Sequence, residues 1–348
     1  MIPFSEALRW TRLGRSTAKV TRLGLGTAPL GNLYAPVAED QALAAVDAAY
    51  GLQVRYFDTA PLYGHGLSEH RCGEALRRYP RETFVLSSKV GRLLRPGRDP
   101  HAAFDGYVDT LPFRPVYDYS YDGAMRSFED SLQRLGVDRI DILLVHDIDV
   151  RTHGLATQKA RMAEAAEGAF RALRRLRSEG VVDAIGLGVN EVDVCIDVAR
   201  CVDIDCILLA GRYSLLEQGA MDELLPLCAA NGIGVIVGGP FNSGILAGEA
   251  AGDARYDYAI ASSDVRARVS RIEAVCRRHG VPLAAAALQF PYGHRAVAAV
   301  IPGARTRAEL EQNVASLQVA IPADLWRELK AERLMRGDTP CPGDEVAG

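Results

Sequence analysis

The stretch "YFDTAPLYGHGLSEHRCGEAL", Tyr56 to Leu76, holds three structural signals in one segment. An apolar run ends at Asp58, "TAPLYGHG" interrupts any regular pattern, and "LSEHRCGEAL" starts a helix. Strand, loop and helix in that order are the repeating unit of an α/β fold. The rhythm recurs along the chain. Strands are expected at 23–27, 54–58, 83–89, 140–146, 182–189, 206–210, 233–238 and 297–301. Several are apolar throughout, as parallel strands covered on both faces are. Helical patterns lie near 39–51, 67–79, 122–135, 164–179, 191–201, 220–230, 264–290 (broken at Pro282) and 306–317. The last opens with Thr306 as N-cap and Glu309 three positions on, a capping-box spacing. Eight strands, each followed by a helix, predict an α/β fold of the (β/α)8 TIM barrel kind rather than an open doubly wound sheet.

No linker divides the chain, so 1–348 is expected to form a single barrel domain with 1–20 as an N-terminal cap. Two insertions break the rhythm, 91–120 after the third strand and 242–262 after the seventh. In a barrel both project from the C-terminal face, where active sites are built, and long irregular loops are usually functional or disordered. Of the 348 residues 48% are hydrophobic and 24% charged, the balance of a folded protein with a large core. A net charge of -4 and a pI near 6.0 argue against a nucleic-acid partner. The basic run "RALRRLRSEG" (171–180) lies on an amphipathic helix and reads as a solvated face. Seven cysteines with no C-x-x-C pair suggest reduced thiols. The N-terminus has no apolar signal core, and no run approaches the ~18 apolar residues of a membrane span. A cytoplasmic protein without membrane contact is the expectation.

Asp58, Lys89 and His146 end the second, third and fourth strands, and Tyr63 lies in the loop after the second. Singly, each has an ordinary structural explanation: a capping aspartate, a surface lysine, a satisfied histidine. Jointly they converge on one rim of a barrel. A phenol with a pKa near ~10 is a poor acid or base until a neighbour shifts it. A lysine cation would stabilise the phenolate, an aspartate would fix the lysine, and a neutral histidine would orient an oxygen. That set moves a proton on an alcohol or carbonyl oxygen. None of the four carries hydride, so a redox cofactor must.

The chain resembles the aldo-keto reductase superfamily over nearly its whole length. "FDTAPLYGHGLSE" is similar to that family's aspartate–tyrosine signature, "SSKVG" to its lysine segment and "DSLQRLGVDRIDILLVHD" to its fourth-strand approach. The resemblance implies Tyr63 as general acid/base, tuned by Lys89 and Asp58, with His146 orienting the substrate oxygen. It also implies a nicotinamide cofactor bound without a Rossmann turn. Gly26, Thr27 and Ala28 follow from it as cofactor neighbours, with Asn190 at the carboxamide and Tyr213 after the sixth strand. Gly238, Pro240, Phe241, Asn242, Ser243 and Gly244 form the segment after the seventh strand. Gly303, Arg305, Glu309, Gln312 and Asn313 form the adenosine-binding segment, where helix N–H groups suit a phosphate.

Three features depart from the family pattern. Ala210 replaces a common glutamine, and Gly238 replaces a stacking tyrosine for which Phe241 or Tyr213 could compensate. Gly303 and Glu309 stand where NADP-preferring members carry basic residues. An acidic side chain suits a free ribose 2′-hydroxyl and repels a phosphate, so the cofactor reading leans to NAD over NADP.

"RLGLGTAPLGNL", "VYDYSYDG", "LLAGRYSLLEQ" and "GGPFNSGIL" look most like the aldose 1-dehydrogenase branch, with D-threo-aldose (L-fucose) and pyridoxal 4-dehydrogenases. That implies oxidation of a small sugar at C1 to the lactone. Phe104, Tyr107, Phe113 and Tyr117 are the aromatic candidates for the sugar face, or simply loop packing. An aldehyde or ketone reductase runs the same chemistry in reverse. A nucleotide-binding regulatory subunit fits less well with four intact site residues. No metal is expected: His146 and Asp147 adjoin, but no other strand end supplies further ligands.

Overall fold

The computed structural model describes residues 8–97, 106–248 and 254–344. Eight parallel strands form one sheet: β1 (Gly24–Gly26), β2 (Tyr56–Asp58), β3 (Val85–Val90), β4 (Ile142–His146), β5 (Ala184–Val189), β6 (Cys206–Ala210), β7 (Gly234–Gly238) and β8 (Val297–Ile301). They pair in chain order. Parallel bridges Leu23–Val300 and Gly26–Gly303 join β1 to β8 and close the barrel. The period of two along each strand separates two cores. Tyr56, Ile142, Leu144, Ala184, Cys206, Leu208, Ile236 and Ile301 pack together inside the barrel. Phe57, Leu86, Leu143, Val145, Ile185, Leu187, Ile207 and Val235 join the helix-facing shell.

That shell is covered by α1 (Glu39–Gly51), α2 (Leu67–Leu76), α3 (Tyr121–Leu135), α4 (Leu155–Glu167), α5 (Ala169–Ser178), α6 (Val192–Cys201), α7 (Leu224–Asn231), α8 (Ser263–Arg278), α9 (Leu283–Gln289), α10 (Arg307–Gln318) and α11 (Ala323–Ala331). The expected helix at 164–179 is two helices. The break falls at Gly168, where the Ala169 N–H turns to the Tyr119 carbonyl at 2.8 Å. α9 starts after Pro282, and the Thr306 hydroxyl caps α10 by accepting from the Glu309 N–H at 3.0 Å. Among the described helices none is long and apolar enough to cross a membrane.

Both insertions contain pairing that their composition hides. The first holds an antiparallel hairpin, Arg92–Pro96 with Phe113–Tyr117, and the second a short one, Arg255–Tyr256 with Ala259–Ile260. An N-terminal hairpin, Trp10–Arg12 with Lys19–Thr21, places Leu13, Ala18 and Val20 under the inner core. Its turn needs a glycine: Gly14 has φ 57°, and a Cβ there would lie 2.4 Å from the Asp205 carbonyl oxygen.

Candidate active site

Inward phase at the strand ends follows directly from the inner core. Asp58 is two residues beyond Tyr56, and His146 two beyond Leu144, so both face the barrel axis where the strands stop. Lys89 comes from β3, between them in the sheet. Its ammonium donates to both Asp58 carboxylate oxygens, at 2.9 and 2.8 Å, and to the Thr59 carbonyl at 2.8 Å. Ser87 donates a further bond to Asp58 at 2.7 Å. Lys89 and Asp58 are buried, so this pair is desolvated and survives on its full set of partners.

Tyr63 reaches the pair from the loop after β2. That loop presses against the backbone at Gly31, where a Cβ would meet the Tyr63 carbonyl carbon at 2.5 Å. The Lys89 ammonium sits 4.8 Å from the Tyr63 ring centroid, and the His146 ring crosses it edge-on at 6.0 Å. The structure therefore brings Asp58, Tyr63, Lys89 and His146 together.

Its electrostatics differ from the sequence expectation in one respect. The Tyr63 phenol is pushed well above its ordinary value, first by burial and then by the Asp58 charge. The lysine cation faces the ring, but burial and the Asp58 charge outweigh it, so the net shift is upward. Burial, with Arg92 and Lys89 nearby, holds the His146 imidazole well below its ordinary value and therefore neutral.

A cavity of about 530 Å³ opens from Asp58 and Tyr63 across the C-terminal face. Gly26, Ala28, Asn190, Gly238, Pro240, Phe241, Asn242, Ser243, Gly244, Gly303, Arg305, Glu309, Gln312 and Asn313 all line it. Thr27 and Tyr213 do not. The Thr27 hydroxyl is consumed inside the shell by the Asp58 carbonyl and Ser68, at 2.7 and 2.8 Å. Tyr213 is buried against Phe290, with ring centroids 5.1 Å apart, so it cannot stack on a ligand in the cavity. Phe241 is the aromatic left for that face.

The wall fits a nicotinamide dinucleotide. The Asn190 amide donates to the Ala210 carbonyl at 3.3 Å and to the Tyr258 hydroxyl at 3.0 Å, which leaves its oxygen as the acceptor for a carboxamide. At the far end, the first turn of α10 carries Glu309, whose carboxylate accepts from the Arg305 N–H at 2.7 Å and pairs with the Arg305 guanidinium at 3.4 Å. Among the described residues no cluster of His, Cys, Asp or Glu is suited to a metal.

Of the aromatic candidates, Tyr107 stacks on Tyr63 at 5.9 Å. Tyr117 packs on His153 at 4.5 Å, Phe113 lies at the far end of the hairpin, and Phe104 is outside the described residues. Sequence reasoning missed Tyr34 and Tyr258 on the cavity wall, and Arg92, Asp147 and Tyr119 behind His146. The sequence signal for Tyr258 was its place in the second insertion; Arg92 had none, because its partner lies on another strand end.

The model for the aldo/keto reductase family matches residues 22–332. The pyridoxal 4-dehydrogenase of Microbacterium luteolum is 47% identical, over 93% of this chain and 97% of that protein. The D-threo-aldose 1-dehydrogenase of a Pseudomonas species is 42% identical, over 91% and 95%. An aldo-keto reductase of Bacillus halodurans, solved in its holo form, superimposes with a TM-score of 0.70 at 24% identity, covering 94% of this chain and 96% of its own, a likeness of fold. With the barrel, the strand-end residues and these likenesses in agreement, the chain belongs to the aldo/keto reductase family and is an NAD(P)-dependent oxidoreductase acting on alcohol or aldehyde groups.

Proposed function

We propose that the enzyme oxidises the ring hydroxyl of a cyclic hemiacetal to a lactone, with NAD as the preferred cofactor and a D-threo aldose such as L-fucose as the first substrate class. The observation that carries this reading is the buried Lys89–Asp58 pair, at 2.8 Å, under the face of Tyr63. In that reading the phenolate form of Tyr63 takes the proton of the substrate hydroxyl and becomes the phenol. The Lys89 ammonium, held by Asp58, faces the ring, and its field favours the phenolate that acts as the base. Neutral His146 donates a hydrogen bond to the same oxygen as it becomes a carbonyl. The nicotinamide, when bound, supplies the acceptor for the hydride that leaves the carbon.

A second substrate has support of its own. Pyridoxal closes its aldehyde and neighbouring hydroxymethyl into a cyclic hemiacetal, so its oxidation is the same reaction on a flat ring. The 47% identity to a pyridoxal 4-dehydrogenase and the stacked Tyr63–Tyr107 pair favour it. NADH formation with L-fucose, D-arabinose, L-galactose, pyridoxal and simple alcohols, each with NAD and with NADP, separates these readings. Turnover of simple alcohols alone would overturn the hemiacetal reading.

The NAD preference rests on the Arg305–Glu309 pair. It sets a carboxylate beside the cavity and cancels the cation that a 2′-phosphate would need. Glu309→Gln removes the carboxylate charge beside Arg305. The ratio of kcat/KM for NADP over NAD is expected to rise by about tenfold, which corresponds to ~1.4 kcal/mol. A wild-type enzyme already favouring NADP more than about tenfold would overturn this assignment.

A further inference from the structure

We infer that Arg92 is a positioning residue for the reaction: with Tyr119 it clamps the His146–Asp147 dipeptide and so keeps the imidazole in place beside Tyr63. The inference rests on the role given to His146 above. Arg92 opens the first strand of the 92–117 hairpin, and Tyr119 follows its second strand, so both ends of the insertion return to β4. The Arg92 side chain is 1% exposed and donates from Nη2 to Asp147 Oδ2 at 2.7 Å. The same Asp147 oxygen lies 3.4 Å from His146 Nε2.

Asp147 has φ 47°, a left-handed conformation uncommon outside glycine that aspartate tolerates better than most residues. The restraints are visible. The Tyr119 hydroxyl lies 2.8 Å from the carbonyls of both His146 and Asp147, sharing its proton between them, and 3.0 Å from His153 Nε2. The Asp147 N–H donates to the Gly188 carbonyl at 3.0 Å on the neighbouring strand end. Tyr117 lies under the guanidinium at 5.0 Å, and Ser127 of α3 bonds the Arg92 carbonyl at 3.0 Å.

Among the described residues, Arg92 Nε and Nη1 have no hydrogen-bond partner. Its one directed bond is to the residue that flanks His146.

The charged and titratable groups around His146 are Lys89 with Asp58 from β3 and β2, Tyr63 from its loop, Arg92 from the hairpin, and Asp147. Tyr119 and His153 lie behind its carbonyl. Two cations flank the imidazole, and the nearest carboxylate is neutralised by Arg92. Removing Arg92 deletes one cation and takes its guanidinium away from the Asp147 carboxylate, and both changes favour imidazolium. An enzyme that needs neutral His146 would then lose activity from the acid side at higher pH.

The test compares Arg92→Met, Arg92→Lys, the double variant Arg92→Met/Asp147→Asn and His146→Ala. For each, kcat is measured across pH, cofactor affinity by fluorescence and folding by circular dichroism. Arg92→Met is expected to lower kcat by about tenfold to a hundredfold, the scale of a small misplacement. Its acid limb should move up by about one pH unit, with cofactor affinity and folding retained. Arg92→Lys should keep the wild-type acid limb with a partial loss of kcat. The double variant should return the limb towards wild type while kcat stays low.

A wild-type kcat and limb in Arg92→Met overturns the inference, as does a loss matched by loss of folded protein. Full activity in His146→Ala overturns the reading of His146 itself. Loss there with none in Arg92→Met overturns only the role of Arg92.

Discussion

Tyr63→Phe is expected to lower kcat by about two to four orders of magnitude, the usual scale for losing acid/base catalysis, with cofactor binding intact. The substitution removes one oxygen and keeps the ring against Tyr107 and over Lys89. Fold and cavity should therefore persist, and the deficit should lie in kcat. The raised affinity of the phenol for its proton adds a pH signature. At neutral pH Tyr63 is protonated, which suits reduction. Oxidation needs the phenolate, whose population grows about tenfold per pH unit below the phenol's pKa. Wild-type oxidation should thus accelerate towards alkaline pH while reduction stays level until the phenol begins to ionise, and Tyr63→Phe should lose the alkaline rise. Near-full activity in the variant, or an oxidation rate flat with pH in the wild type, would sink the mechanism.

Lys89→Met should damage stability and activity together, and the pair of effects can be separated. The variant leaves the Asp58 carboxylate buried with Ser87 as its remaining side-chain donor. Breaking a buried pair from one side typically costs about 3–5 kcal/mol, readable by chemical denaturation. Asp58→Asn/Lys89→Met removes the stranded charge and should recover most of that stability. Turnover should remain low in both, because the cation beside the phenol is gone. If Lys89→Met were as stable as the double variant, the burial argument would be wrong. If it turned over normally, the electrostatic role of Lys89 would be.

How much of this was legible in the sequence differs between strands and their surroundings. Strand ends were readable because a polar residue terminating an apolar run is a local signal, as at Asp58, Lys89 and His146. Helices with a clear apolar stripe were readable for the same reason. α4 was missed because "LATQKARMAEAAE" buries only Ala165 and so shows little periodicity. The 92–117 hairpin looks irregular in sequence because its strands carry Arg92, Arg95, Pro96, Arg114 and Pro115, and its register joins residues far apart in the chain. Thr27 and Tyr213 lie on strand-end segments, yet their side chains turn into the shell, a choice set by packing with Ser68 and Phe290. Arg92, Asp147 and Tyr119 form contacts between separate strand ends, which no local pattern encodes.

The N-terminal hairpin bears on how the chain is made. Leu13, Ala18 and Val20 are synthesised well before Ile236, Ala299 and Ile301, with which they share the inner core. Until β7 and β8 exist, that apolar plug has no floor to seal. The nascent chain must carry it exposed through most of synthesis, and the non-local contacts that bury it are slow to form. Closing the barrel's base is therefore a late event in biogenesis, and the interval before it is when the growing polypeptide is most open to aggregation or to a chaperone.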